Sequence, residues 1–147
     1  MRAADGFFVD SNLLLYSVDL GENEKRERSA NWVEALWETG NGRLSWQVLH
    51  EFYWNATRKM RIKPARARGW VQGFIRWKPV DTSLNLIELA WEWSDKAQLA
   101  YWDALIVAAA LRSGARYLLS EDFAHGRRFD DLSVVNPFQA TPPVFAK

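Results

Sequence analysis

The sequence predicts an α/β layer structure, a parallel sheet with helices on both faces, and three observations carry that prediction. Short apolar runs at Phe7-Phe8-Val9, Tyr117-Leu118-Leu119 and Ser133-Val134-Val135 are the length of strands. They lack the polar alternation of a half-exposed sheet, as strands buried on both faces do. The stretches between them carry helical periodicity, and strands alternating with helices make a parallel sheet. Right-handed crossovers then give a doubly wound arrangement.

The elements follow in order. Phe7-Phe8-Val9 is a strand that ends at Asp10, and Ser11 or Asn12 can cap a short helix through Tyr16. Asn23 opens a helix with Ala30, Val33, Leu36 and Trp37 on one face, ended by Gly40 and Gly42. Leu44-Ser45 is a brief strand, or the end of one. Val48, Leu49, Phe52 and Ala56 form the stripe of a helix running to about Met60. Pro64 suits the first turn of the next helix, with Trp70, Val71, Phe74 and Ile75. Pro79-Val80 is a weak strand and Leu84 to Trp93 a helix. From Ala104 to Leu111 every residue is apolar, so that helix is buried on most sides and Gly114 ends it. Asn136-Pro137 stops the last strand.

Composition narrows the class. A chain of 147 residues reads as one domain, 1–147, and 48% hydrophobic with 25% charged residues is an ordinary globular balance. The longest apolar run is eight residues, far short of the roughly 20 that cross a bilayer, so no membrane segment is expected. Asp5 and Asp10 interrupt any leader-like apolar core near the N-terminus. With no cysteine there is neither a disulfide framework nor a thiolate zinc site, which fits a cytoplasmic location.

Four acids stand out by context: Asp10, Glu51, Asp103 and Asp122. Asp10 and Asp122 sit at strand carboxyl ends, where ligands bind in such sheets. Asp103 sits at the mouth of the buried helix, with no Lys or Arg within a helical turn. Glu51 lies on the Val48 helix near the edge of its apolar stripe. Two charges 4 Å apart at an effective dielectric of 20 repel by about 4 kcal/mol, a cost that a divalent cation turns into attraction. All-oxygen donors with no Cys and no paired His point to Mg²⁺ or Mn²⁺. Each acid also has an ordinary reading: Asp10 as a helix cap, Asp103 facing a helix dipole, Glu51 as a solvated helix residue, Asp122 as a turn former. Their coincidence is harder to explain that way.

Phe8-Val9-Asp10-Ser11-Asn12, Ser45 to Tyr53 around Glu51, Tyr101-Trp102-Asp103-Ala104-Leu105-Ile106 and Leu118-Leu119-Ser120-Glu121-Asp122 resemble the four signature blocks of PIN-domain nucleases. Val135-Asn136-Pro137-Phe138 is also similar to that family, so the resemblance spans residues 7 to 138. Size and pattern are most similar to VapC-type toxins of bacterial toxin–antitoxin pairs. The resemblance implies a three-layer α/β/α fold around a five-stranded parallel sheet, with the first and fourth strands adjacent. It also implies a metal-dependent ribonuclease, usually a homodimer, held inactive by a small antitoxin. Ser11 and Ser120 stand where the family often has Thr, which keeps the hydroxyl.

On this reading Asp10, Asp103 and Asp122 hold Mg²⁺, directly or through water, and Glu51 orients the attacking water or holds a second ion. Asn12 and Ser120 fix the carboxylates by hydrogen bonds, although a strand-end hydroxyl also bonds locally. From Phe52 to Val80 there are eight bases and no acid, beginning with Arg58 and Lys59. Such a stretch places positive charge beside the acidic pocket, or docks an acidic antitoxin segment, or is a solvated face. Arg127 and Arg128 are further candidates for phosphate contact. Trp46, Trp54 and Trp102 lie near the acids and can stack on unpaired bases, with core packing or a dimer interface the ordinary expectation. His50 and His125 are not needed as bases if a metal is present. Rival readings are a nuclease acting on DNA or in RNA maturation, and an RNA-binding regulator whose acids no longer hold metal. A phosphate-accepting response-regulator domain wants paired acids after the first strand and a lysine after a late strand, and Tyr117 to Phe123 offers no such lysine.

Overall fold

The computed structural model describes residues 1–21 and 23–143. Its five strands are β1 (Phe7–Val9), β2 (Gly42–Arg43), β3 (Tyr117–Leu119), β4 (Arg128–Phe129) and β5 (Leu132–Val135). Six helices accompany them: α1 (Ser11–Val18), α2 (Asn23–Thr39), α3 (Trp46–Arg58), α4 (Pro64–Phe74), α5 (Leu84–Ala97) and α6 (Tyr101–Arg112). The strand order is β2-β1-β3-β5-β4. All neighbours are parallel except β4, which pairs antiparallel with β5.

From β1 the chain steps to one side to form β2, then returns past β1 to form β3. With right-handed crossovers, those opposite steps send the two sets of connecting helices to opposite faces, giving three layers. The step also makes the β1–β3 boundary the topological switch point. Register there is set by Phe7 against Tyr117 and Val9 against Leu119. Residues 10 and 120 therefore leave the sheet side by side at its carboxyl edge. Phe7, Phe8, Val9, Leu118 and Leu119 are all buried, as their uninterrupted apolar pattern requires. From Ala104 to Ala110 every residue of α6 is buried as well.

Several elements differ from the sequence reading. Ser11 and Asn12 do not cap α1; Asp10 does, accepting the Ser11 N–H at 2.7 Å, so its ordinary reading as a helix cap holds alongside its place at the strand end. The buried face of α2 runs Ser29, Trp32, Ala35 and Leu36, while Trp37 lies at the rim, stacked on Phe74. The second strand is Gly42–Arg43, which stops just before Leu44-Ser45, and Pro79-Val80 contributes only an isolated parallel bridge between Val80 and Ser45. The fifth strand is β4, an unexpected edge joined to β5 through Asp130, whose φ of +54° turns the chain. Arg128 lies on this edge strand. Five of the nine tryptophans pack in or against the core, Trp32, Trp77 and Trp93 within it and Trp46 and Trp70 beside it, while Trp37, Trp54, Trp91 and Trp102 are exposed on helix surfaces.

Candidate active site

At the carboxyl edge of the sheet a cavity of about 780 Å³ opens between α3, α5 and α6. Asp10, Glu51, Asp103 and Asp122 all line it, drawn from positions spread over more than a hundred residues. Four separate elements deliver them. Val9 ends β1 and hands Asp10 to the edge, while β3 hands over Ser120 and the turn carrying Asp122. Ser45 caps α3 by accepting the Val48 N–H at 3.3 Å, which fixes the first turns of that helix and so Glu51. Asp103 sits in the first turn of α6, where the exposed N–H groups favour a negative charge.

Asp10 is the deepest of the four, 5% exposed. Its two oxygens are held from two sides, by the Ser11 N–H at 2.7 Å and by the Ser120 hydroxyl at 2.8 Å. Ser120 in turn accepts the Asp122 N–H at 3.1 Å, so one hydroxyl joins the two strand-end acids. Asn12 donates to the Asp122 carboxylate at 3.3 Å, and the Ser11 hydroxyl donates to Glu51 at 3.3 Å. Burial pushes the Asp10 carboxyl up to about 7, and the neighbouring Asp122 and Glu51 charges push the same way. The Ser120 and Ser11 hydrogen bonds oppose that rise without cancelling it. Asp103 is also raised, by burial first and then by Asp122. These four acids form one electrostatic unit.

Among the described residues no Lys or Arg pairs with any of these acids: the salt bridges are Lys25–Glu121 at 3.3 Å and Lys96–Glu92 at 4.0 Å, and neither involves the four. No Lys or Arg lines the cavity. A buried carboxylate without a cationic partner is costly, and an oxygen-only donor set suits Mg²⁺ or Mn²⁺. Among the described residues no three acidic or histidine side chains stand at direct-ligand spacing. An ion held by these acids would be bound in part through its own water shell, which Mg²⁺ usually keeps.

The basic residues expected beside the pocket lie elsewhere. Arg58 and Lys59 sit at the far end of α3, about 10 Å along its axis from Glu51. Arg58 stacks on the exposed Trp54 ring at 4.2 Å. Arg127 donates to the Ala97 carbonyl at 3.1 Å and lies over Phe129, and Arg128 is exposed on β4. The run fails to converge because it wraps around α4 and the following turn instead of following one face. Trp46 and Trp102 do line the cavity, Trp102 being 66% exposed, as does the exposed His50. His125 accepts the Asn136 N–H and does not line the cavity.

Sequence reasoning missed Thr82 and gave no role to Gln47 or Tyr101, which also line the cavity. It also missed the tether beneath it, where Glu121 accepts from the Tyr16 hydroxyl at 2.8 Å and pairs with Lys25. Nothing in the sequence links positions so far apart.

No curated protein matches this chain. The family model described as the PIN domain matches residues 7–131, a span that contains all four acids. The chain belongs to the PIN domain family, whose fold is of the nuclease type, generally metal-dependent and acting on nucleic acids.

Proposed function

We propose that this protein is a metal-dependent endoribonuclease of the VapC type, the toxin of a type II toxin–antitoxin pair. One observation carries the nuclease reading: a buried, cation-free Asp10 shares one cavity mouth with Glu51, Asp103 and Asp122. Asp10, Asp103 and Asp122 would hold Mg²⁺, with Mn²⁺ an alternative. When bound, the ion supplies charge neutralisation at the phosphate and lowers the pKa of a coordinated water.

The chain's own residues do the positioning. Ser120 and the Ser11 N–H hold Asp10 in one orientation, and Asn12 holds Asp122. Glu51, fixed by the Ser11 hydroxyl, orients the attacking water. The exposed face of Trp102, with Trp46 beside it, is suited to stacking an unpaired base, which supports a single-stranded substrate. Arg58, Lys59, Arg127 and Arg128 meet phosphates further along the strand, outside the cavity. The active form is a homodimer, its partner is a small antitoxin, and both act in the cytoplasm.

The test is cleavage of an end-labelled single-stranded RNA. Wild-type protein cleaves with Mg²⁺ and stops with chelator, while Asp10→Asn and Asp103→Asn remain folded and inactive. Undiminished cleavage by Asp103→Asn contradicts the assignment, and cleavage of DNA alone contradicts the substrate.

A further inference from the structure

At the opposite end of α6 lies a second cavity, of about 380 Å³, with a contrasting charge. Four cationic side chains line it: Arg43 from β2, Arg76 and Lys78 from the turn after α4, and Arg112 from the last turn of α6. No carboxylate does, and Asp81, three residues beyond Lys78, stays outside it. None of the four forms a salt bridge among the described residues. Arg43 donates to the Gly40 and Gly42 carbonyls at 3.2 and 3.1 Å, and Arg112 to the Asn85 side chain at 2.6 Å. Neutral acceptors orient those guanidinium groups without neutralising them.

The walls are built rather than draped. Trp77, 5% exposed, packs so tightly on Gly42 that a Cβ there would lie 2.7 Å from its ring. That contact pins the turn to β2 and so fixes the backbone that carries Arg76 and Lys78. The Val80 N–H bonds the Leu44 carbonyl at 3.0 Å and closes the turn from the other side. Lys78 adopts a left-handed backbone, φ +53°, a conformation that costs a non-glycine residue free energy. The carbonyl end of α6 brings only about half a negative charge to the cavity, far less than four cations carry. Like charges around one cavity repel, and an anion removes that cost.

We infer that this cavity is a phosphate-binding site, separate from the carboxylate cavity. From Asp103 to Arg112 the distance along α6 is about 14 Å, so the two sites cannot engage the same phosphate. Arginines that are oriented but not neutralised match the geometry of phosphate oxygens. The phosphate can come from a nucleic-acid strand or from a free phosphate compound.

Both sources are tested by binding in metal-free buffer, which leaves the carboxylate reading out of the measurement. The probes are inorganic pyrophosphate, by calorimetry, and a fluorescent single-stranded RNA titrated at several salt concentrations. The variant is Arg76→Gln with Lys78→Asn, since both side chains are exposed and Asn tolerates the left-handed backbone. Arg112→Gln, on the opposite wall, is an independent second variant. A free-phosphate site predicts that pyrophosphate binds the wild type and weakens about tenfold or more in both variants, with RNA binding unchanged. A strand site predicts weaker RNA binding and a salt slope smaller by about 0.7, the share of one phosphate on a single strand. Wild-type and variant proteins that treat both probes alike overturn the site.

Discussion

Replacing Asp10 with Asn should stabilise the metal-free protein at pH 8, an outcome opposite to the usual effect of a core substitution. Asn keeps the shape, its carbonyl can accept the Ser11 N–H, and its amide can donate to Ser120. What disappears is a charge that the fold disfavours. Burial, Asp122 and Glu51 raise the Asp10 carboxyl from 3.8 to about 7. Below 3.8 both folded and unfolded chains hold the proton, and the group costs nothing. Between 3.8 and 7 only the folded chain holds it, so stability falls as pH rises, and above 7 the whole penalty is present. Each tenfold change in proton affinity is worth about 1.4 kcal/mol, so the penalty at pH 8 is about 2–4 kcal/mol once some local relaxation is allowed. Urea unfolding with chelator present should therefore show Asp10→Asn with a midpoint about 1–2 M above wild type at pH 8. The gap should close as pH is lowered toward 4. An Asp10→Asn protein equal to or weaker than wild type at pH 8 refutes the electrostatic reasoning.

Two further outcomes follow from neighbouring contacts. Ser120→Ala removes the hydroxyl that favours ionised Asp10 and also leaves the Asp122 N–H without its acceptor. Urea unfolding at pH 8 should show a loss of about 1–3 kcal/mol, smaller at pH 5 where Asp10 is protonated. Gly42→Ala forces a Cβ into the Trp77 ring and should cost about 1–3 kcal/mol by the same assay, with activity at the distant carboxylate cavity preserved once folded.

The strands that position the site were legible because they are apolar throughout. Phe7-Phe8-Val9 and Leu118-Leu119 are buried, with Tyr117 half-buried, and Asp10 and Asp122 follow from where those strands stop. The start of β2 was missed because Gly42 and Arg43 are not apolar. Gly42 is there to admit the Trp77 ring, a tertiary demand without local signature. β4 escaped notice because two residues carry no periodicity, and its pairing depends on the turn at Asp130. The acids stood out because strand ends and a helix's first turn are visible in one dimension. The hydrogen bonds among them join residues up to 110 positions apart, as Ser120 to Asp10 does, and only folding brings those together. The basic run shows the converse error. Charge clustered in sequence spread over α3, α4 and the following turn, and part of it turned toward the far end of α6.

The shared ion is tested most directly by titrating Mn²⁺ into the protein and following the free-ion signal by electron paramagnetic resonance. Wild-type protein should bind, with Asp10→Asn and Asp103→Asn each weakening the affinity about tenfold or more. Equal Mn²⁺ affinity in all three proteins contradicts a common metal site at the β1–β3 edge.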